Sequence, residues 1–361
     1  MEPRVLIVDD APHRHGGLRA MLEPAGLRVV GACARGDDAV ARVAALVPDV
    51  IAIDLDLAGL DGLTTIERIM AERPTPIVVV AGDPRLRGGD VPFEALARGA
   101  VDVVPRPRDD AEVARLVDQV RAAASIPVAS HGRGGRRRGR DSRPTTPLRP
   151  VVPAARPALP AVPPAVVVVG ASTGGPGALR ALIELLGADH PTPIVVIQHL
   201  PEELGAGFVR WLDSQVPAHV VEATPRTRIR PGAVHVAVRG PHVAIEADGT
   251  ITAIPGRATP HCPSIDVLFS ATAHRFGARA IGALLTGAGD DGAAGLGAIA
   301  AAGGVTLAQD EASSVVFDMP RAAIARGTAQ QVLPIAGIAR VVRDACRIVP
   351  PAARAHRAGE G

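Results

Sequence analysis

The feature that most constrains this chain is a repeated alternation of short strand patterns, rich in β-branched residues, with helical segments. In residues 1–122 the strand patterns fall at Arg4–Val8, Arg28–Ala32, Val50–Ile53, Pro76–Val80 and Val101–Val104. A helical segment follows each of them, and five such βα units predict a doubly wound parallel sheet with helices on both faces. The ligand site of such a sheet lies at the carboxyl ends of its strands.

A second α/β series runs from residue 165 to residue 347. Its main strands are predicted at Val166–Val169, Ile194–Gln198, Ala280–Leu285 and Val305–Ala308. Between them, Val234–Val238 and His242–Glu246 flank an Arg-Gly pair and predict a β-hairpin, and an Asp-Gly turn leads into Thr250–Ile254. The expected fold class is α/β, with a flavodoxin-like domain followed by a Rossmann-like domain that carries a β-hairpin.

A stretch dominated by Pro, Arg, Gly and Ser separates the two series, from residue 124 to residue 164. It cannot bury enough apolar surface to fold, so a disordered linker is predicted between domains at 1–123 and 165–347, with a tail at 348–361. Its arginines cluster at Arg133, Arg136, Arg137, Arg138, Arg140 and Arg143. Such a cluster could contact an acidic partner or nucleic acid, but the tract has no aromatic residue for base stacking, which favours the linker.

Composition narrows the classes of protein that this chain can be. The formal net charge is only +2, which argues against nucleic acid as the main partner of the folded parts. The cysteines, Cys33, Cys262 and Cys346, are scattered and form no C-x-x-C pair, which excludes a disulfide framework and a cysteine zinc site. No signal-peptide pattern and no apolar run of about 18–20 residues occurs, so a cytoplasmic protein without membrane insertion is expected.

Three carboxylates follow two strands of the first predicted sheet. Asp9 and Asp10 follow the first strand and Asp54 follows the third, and these strand ends are expected to be neighbours at the ligand edge. The carboxylates repel one another unless a divalent cation neutralises them, and hard oxygen ligands suit Mg²⁺. A metal-bound Asp can also act as a nucleophile toward phosphorus. A single Asp at such a position is usually a loop or N-cap residue, but the constellation favours a functional site.

This domain resembles the receiver domains of bacterial response regulators through Val5–Asp10, Pro48–Asp54 and Leu60–Gly62. The resemblance implies that Asp54 accepts a phosphoryl group from a sensor histidine kinase. It also implies that Asp9 and Asp10, together with Asp54, bind the Mg²⁺ that this transfer uses.

Two residues depart from the receiver pattern. Ala81 stands where receivers usually carry the Ser or Thr that bonds a phosphoryl oxygen, and Arg106 stands where they carry a Lys before a Pro. Arg is longer and forked, so it is not equivalent to Lys at a tight site. Both departures bear on the switching step rather than on the acceptor itself.

The run Val166–Val169 leads into Gly170-Ala171-Ser172-Thr173-Gly174, which fits the G-x-S-x-G turn that presents a nucleophilic serine between a strand and a helix. Small residues around Ser172 let the backbone turn sharply and let a substrate carbonyl approach. The same turn could simply open a helix or cradle a phosphate. A nucleotide-binding module is less favoured, because neither G-x-G-x-x-G nor a P-loop lysine is present.

A serine nucleophile needs a base beside its hydroxyl and an acceptor that orients this base. His199 follows the strand Ile194–Gln198, and Asp290 and Asp291 follow a later strand in a glycine-rich turn. Parallel strands would bring these side chains to the sheet edge where Ser172 lies. Each residue alone could be a core histidine or a helix N-cap, but their joint placement favours a triad. The chain order Ser, His, Asp differs from that of α/β-hydrolases, so that fold is not predicted.

The second domain resembles the CheB family of protein-glutamate methylesterases. The resemblance rests on the blocks Gly170–Pro176, Gln198–Pro201, Pro263–Phe269, Leu285–Gly292 and Ala308–Pro320. It implies that Ser172 is the nucleophile, that His199 is the base and that Asp291, directly before Gly292, is the catalytic acid. It also implies that glutamate methyl esters on methyl-accepting chemoreceptors are hydrolysed, and glutamine deamidated, without a cofactor for this chemistry.

The backbone N–H groups of Thr173 and Ala288 are the candidate donors to the oxyanion of such a reaction. Ala288 replaces the Met that the family usually carries between two glycines, which keeps the N–H but changes the side-chain packing. By the same resemblance, the unphosphorylated receiver covers the esterase site and phosphorylation at Asp54 relieves this. The competing hypothesis is a phospho-regulated binding protein whose esterase domain is weak or inactive.

Overall fold

The computed structural model describes residues 2–10, 17–57, 59–82, 89–126, 163–255, 259 and 261–346. The predicted linker lies almost entirely outside these residues, as does the tail, so the disorder expected there stays a prediction. Among the described helices, none has both the length and the apolar character that crossing a bilayer requires.

The first domain is built on a five-stranded sheet in which all pairings are parallel. Its strands are β1 (Arg4–Val8), β2 (Arg28–Cys33), β3 (Val50–Ile53), β4 (Ile77–Ala81) and β5 (Asp102–Pro105), in the order β2-β1-β3-β4-β5. Its described helices are α1 (Gly17–Leu22), α2 (Gly36–Leu46), α3 (Gly62–Glu72), α4 (Val91–Ala97) and α5 (Asp110–Ala124). The inner strands β3 and β4 are buried along their whole length, because helices cover both faces of the sheet.

The second domain is built on a seven-stranded parallel sheet. Its strands are β6 (Val166–Ala171), β7 (Ile194–Gln198), β8 (His219–Glu222), β9 (Ala233–Ala237), β12 (Ala280–Leu284), β13 (Val305–Gln309) and β14 (Gln331–Leu333). Strands β10 (His242–Ile245) and β11 (Ile251–Ile254) form a separate antiparallel hairpin. The described helices are α6 (Gly175–Leu186), α7 (Glu202–Gln215), α8 (Ile265–Phe276), α9 (Ala293–Ala301), α10 (Asp318–Ala325) and α11 (Ile335–Cys346).

The strand order β14-β13-β12-β6-β7-β9-β8 places β6 at the point where the topology reverses. The chain builds outward from β6 through β7 on one side, and later returns to pair β12 on its other side. In open α/β sheets a ligand binds at the carboxyl ends of the strands beside such a switch point. The end of β6, where Ser172 lies, is therefore the position at which this sheet favours a site.

The structure confirms the predicted α/β class and corrects one supersecondary prediction. The hairpin predicted from Val234–Val238 and His242–Glu246 is wrong, because β9 lies inside the large sheet, parallel to β7 and β8. Both faces of β9 are covered: Val234, His235 and Val236 are each at most 2% exposed. Strand β10 pairs instead with β11 across the predicted Asp-Gly turn, which is the hairpin that forms.

Aromatic side chains join the two domains. Phe93 of α4 lies 5.5 Å from Phe208 and 5.8 Å from Trp211, both of α7, between ring centroids. These are half of the chain's six Phe and Trp residues, and all three are buried, so the largest side chains are concentrated at the domain contact. Around them, Arg210 pairs with Asp90, and Arg108 pairs with Glu203.

Candidate active site

Ser172 lies in the tight turn between β6 and α6. Its N–H donates to the Thr286 carbonyl at 3.0 Å, and its own carbonyl accepts from the Gly175 N–H at 2.7 Å. Gly174 has a φ of +75°, a conformation that side-chain-bearing residues rarely adopt, and a Cβ there would lie 2.3 Å from Val315. The glycine-rich sequence is therefore what allows the chain to reverse directly behind the serine.

His199 is held at the same sheet edge by its own backbone. Its N–H donates to the Ala171 carbonyl at 3.0 Å, which ties the residue after β7 to the last residue of β6. Its imidazole Nε2 lies 3.0 Å from Oδ2 of Asp291, and both side chains are about nine-tenths buried. Among the described residues, Nδ1 of the ring contacts no hydrogen-bond partner, so this nitrogen is available to the serine or the substrate.

Asp291 is anchored at the N-terminus of α8. Its carboxylate accepts hydrogen bonds from Ser264 Oγ at 2.8 Å, from the Ile265 N–H at 2.8 Å and from the Asp266 N–H at 3.0 Å. Burial raises the pKa of Asp291, but the hydrogen bonds from His199, Asp266 and Ile265 outweigh it and bring the pKa to about 2. Asp291 is therefore a fixed negative charge beside the imidazole at neutral pH.

The neighbouring carboxylate does not take part in this arrangement. Asp290 is exposed and forms an ion pair with Arg326 at 2.5 Å on the protein surface. The geometry thus brings Asp291, and not Asp290, to His199. The position of Asp290 and Asp291 after the same strand does not tell them apart, whereas the contact with His199 does.

His261 is a contact that the sequence analysis missed. Its ring stacks on that of His199 with the centroids 4.3 Å apart and an interplanar angle of 14°. Burial, and then the proximity of His199, lowers the pKa of His261, which favours the neutral form of its ring. It has no metal-ligand spacing with another histidine, so only its place two residues before the Pro263–Phe269 block could have pointed to it.

The loop after β12 brings Gly287 close to the serine, and Ala288 lines the same cavity. A Cβ on Gly287 would lie 2.7 Å from the Cβ of Ser172, so this approach requires a glycine. The Gly287 carbonyl accepts from the Met319 N–H at 3.0 Å. Because a trans peptide is planar, the N–H of Ala288 points the opposite way from that carbonyl. Within the described residues, the N–H groups of Thr173 and Ala288 donate to no backbone carbonyl.

A cavity of about 510 Å³ surrounds these residues, and both domains line it. The second domain contributes Ser172, Thr173, His199, His261 and Ala288, among others. The first domain contributes residues of β5 and α5, including Val104, Pro105, Arg115, Leu116 and Gln119. In this conformation the first domain is therefore one wall of the space in front of Ser172.

The acidic pocket of the first domain contains an arginine. Asp9 and Asp54 are buried, and Nη2 of Arg106 lies 2.5 Å from Oδ2 of Asp9 and 3.6 Å from Oδ2 of Asp54. Burial raises the pKa of Asp54, and the backbone N–H of Asp56 and the charge of Arg106 oppose this. Asp10, the third predicted member, is exposed.

The carboxylates of this pocket have the chemistry that Mg²⁺ prefers, but the guanidinium of Arg106 is paired with them here. No group of three or more His, Cys, Asp or Glu side chains is arranged to hold a metal in the described parts of the chain. Asp9 and Asp54 could therefore ligate the ion only after the Arg106 side chain has moved. Ala81 offers a buried methyl group where a hydroxyl is usual.

Comparison with known proteins is decisive for the family. Protein-glutamate methylesterase/protein-glutamine glutaminase 2 of Anaeromyxobacter dehalogenans is 40% identical over 350 residues, which cover 95% of this chain and 97% of the relative. The chain belongs to the CheB methylesterase family. A CheB relative of Myxococcus xanthus, protein-glutamate methylesterase/protein-glutamine glutaminase 3, is 38% identical over 354 residues, 96% of this chain and 95% of the relative.

The two halves of this CheB-family chain match separate domain families. The response regulator receiver domain matches residues 5–118, and the CheB methylesterase domain matches residues 167–342. Among solved structures, the Thermotoga maritima CheB methylesterase catalytic domain is 32% identical and covers 51% of this chain and 99% of its own, with a TM-score of 0.48. The predicted resemblances to receivers and to CheB esterases are both confirmed.

Proposed function

We propose that this chain hydrolyses the methyl esters of glutamate side chains on methyl-accepting chemoreceptors and deamidates glutamine at the same class of site. The relatives named above carry both activities in their names, and their matches span nearly the full length of this chain. The observation that carries the proposal is the 3.0 Å contact of His199 with Asp291 beside the cavity that Ser172 lines.

In the proposed reaction, Ser172 Oγ attacks the γ-carbonyl carbon of the ester while His199 accepts the hydroxyl proton. The carbonyl π pair moves to oxygen, and the N–H groups of Thr173 and Ala288 bind the resulting oxyanion. When the tetrahedral intermediate collapses, methoxide leaves with the proton from His199 as methanol. Asp291 holds the imidazole orientation and stabilises its charged form in both steps.

Water completes the cycle. It attacks the glutamyl-serine ester while His199 takes its proton, and this proton then returns to Ser172 as the glutamate leaves. With a glutamine side chain the same steps expel ammonia instead of methanol, because only the leaving group differs. No step needs a cofactor, and the buried Asp291 carboxylate supplies the charge that stabilises the imidazolium of His199.

We propose that the esterase activity is regulated through the residues of the first domain that line the cavity in front of Ser172. Asp54 accepts a phosphoryl group from a sensor histidine kinase, with Asp9, Asp10 and Asp54 as the residues that would hold Mg²⁺, whose charge offsets the phosphoryl oxygens. A phosphoryl group on Asp54 would compete with the Asp9 carboxylate for Arg106, whose Nη2 lies 3.6 Å from Oδ2 of Asp54 and contacts Asp9. We infer that the changed contact loosens β5 and α5 from the cavity and exposes Ser172 to a receptor helix in the cytoplasm.

The test compares two histidine–aspartate pairs of this chain. Full-length protein is incubated with methyl-labelled receptor and a phosphodonor, and methanol release is measured for wild type, His199→Ala and His219→Ala. His219 lies 3.2 Å from Asp213 on the surface and is the matched control. Loss of release in His199→Ala alone supports the proposal. Equal release in all three proteins would contradict the role of His199, and no release from wild type under any phosphodonor condition would overturn the proposal in favour of a binding protein.

A further inference from the structure

Gln198, the last residue of β7, bridges the main chains of the proposed nucleophile and base. Its side chain is 1% exposed. Its Nε2 donates to the Ser172 carbonyl at 2.9 Å and to the His199 carbonyl at 2.9 Å. Both amide protons of one side chain are therefore committed to the two residues whose relative position decides the chemistry.

The bond to the Ser172 carbonyl sets the direction of an N–H group. This carbonyl also accepts from the Gly175 N–H at 2.7 Å, so the Ser172–Thr173 peptide is held from one side by two donors. In a planar trans peptide the N–H is opposite to the C=O. The N–H of Thr173 consequently points away from Gln198, and Thr173 lines the cavity beside Ser172.

The carboxamide of Gln198 packs against Gly175, and the space between them is too small for a side chain at position 175. A Cβ on Gly175 would lie 2.0 Å from Oε1 of Gln198. Within the described residues this Oε1 is buried and has no hydrogen-bond partner, an arrangement that costs stability. A side chain kept for packing alone would not need a carboxamide here, so the two donated hydrogen bonds are what the residue contributes.

We propose that Gln198 is a positioning residue that aims the Thr173 N–H at the oxyanion. Gln198 does not touch the reacting atoms; it acts through the Ser172–Thr173 peptide. The inference rests on the proposed esterase function and adds to it a determinant of transition-state binding.

The first experiment replaces the amide donors while keeping the length of the side chain. Gln198→Met and the control Gln330→Met are made in the full chain, because Gln330 also bridges backbone groups, those of Thr306 and Gly304, far from Ser172. Methanol release from methyl-labelled receptor is measured as kcat and KM. Gln198→Met is expected to lower kcat about 10- to 100-fold, less than removal of an oxyanion donor, with KM within about twofold.

The pH profile separates positioning from general damage. Gln198→Met leaves the contact of His199 with Asp291 in place, so the pH dependence of kcat/KM is expected to keep its shape. A loss confined to KM, a shifted pH profile, or a kcat within about twofold of wild type would contradict the inference. A wild type that releases no methanol contradicts the proposed function itself, which distinguishes the two failures.

A second experiment perturbs the Gln198 carboxamide through its neighbour Gly175. Gly175→Ala pushes a methyl group against Oε1, so it is expected to lower kcat as Gln198→Met does. In a Gln198→Ala background the clash with Oε1 is removed and only the contact with the Ala171 Cβ, at 2.9 Å, remains, so Gly175→Ala is expected to lower kcat by a smaller factor than it does in wild type. Additive losses in this double-mutant cycle would overturn the inference, and the Gly175→Ala variant keeps it testable if Gln198→Met does not fold.

Discussion

Nε2 of His199 lies 3.0 Å from Oδ2 of Asp291, a carboxylate that the N-terminus of α8 holds in place. The pair is nine-tenths buried, so neither partner is free to reorient in water. Sequence position alone left Asp290 and Asp291 equivalent, and this contact separates them. Substitutions of the two aspartates can therefore be compared directly, because the residues are adjacent and only Asp291 contacts His199.

Asp291→Asn is expected to lower kcat for methanol release about 10³- to 10⁴-fold, because the amide no longer holds the required imidazole tautomer. Asp290→Asn is the matched control, since Asp290 pairs with Arg326 on the surface. It is expected to keep wild-type activity. Equal losses in the two variants would contradict the assignment of Asp291.

Asp102, a buried carboxyl, gives the stability of the folded protein a pH dependence. It is 3% exposed, and burial raises its pKa to about 7 although Val103, Gln119 and the Gly174 backbone donate to it. A carboxyl whose pKa is raised by burial in the folded protein loses stabilising free energy as pH rises from about 4, its exposed pKa, through about 7. The folded state is therefore expected to lose stability over this range.

Asp102→Asn removes this titration. The difference in melting temperature between Asp102→Asn and wild type is expected to grow in favour of the variant from pH 4 to pH 7 and to level off above. Comparing the two proteins at each pH cancels the other titrating groups. A difference that stays constant with pH would contradict the role of this carboxyl.

Arg106→Gln tests the counter-charge in the acidic pocket. Removing the guanidinium takes away the positive charge paired with the buried carboxylates of Asp9 and Asp54, which is expected to cost about 3–5 kcal/mol of unfolding free energy. Mg²⁺ should then raise the melting temperature of the variant more than that of wild type, since the ion no longer competes with the arginine. Arg108→Gln, at a half-exposed ion pair with Glu203, is the control. Identical Mg²⁺ responses in all three proteins would contradict the account.

Phe93→Ala tests the aromatic contact between the domains. Truncating this fully buried ring is expected to cost about 3–5 kcal/mol and to loosen α4 from α7. Methanol release without a phosphodonor should rise, because the first domain then covers the cavity less often. Phe276→Ala, in α8 of the second domain, is the control. Unchanged basal release in Phe93→Ala would show that this contact does not restrain the esterase.

The strand ends that carry the site were predictable because each follows a continuous run of apolar residues. Val166–Val169 and Ile194–Ile197 are apolar on both faces, which only interior parallel strands satisfy, so Ser172 and His199 follow at once. The short edge strands β8 and β14 mix polar and apolar residues and were not predicted.

Contacts between residues far apart in the chain could not be predicted from the sequence. The stack of His261 on His199 and the approach of Arg106 to Asp9 depend on how loops and strands meet in space. The hairpin prediction at β9 failed for the same reason. A strand next to a turn was assumed to pair with its neighbour in sequence, whereas β9 pairs in parallel with β7 on one edge and with β8 on the other.

The central claim is that Ser172 is the nucleophile of a methylesterase. Its most direct test is methanol release from methyl-labelled receptor by wild-type and Ser172→Ala full-length protein, side by side and with a phosphodonor present. The account predicts release by wild type and release at the level of receptor alone by Ser172→Ala. Release by Ser172→Ala at the wild-type rate would contradict it.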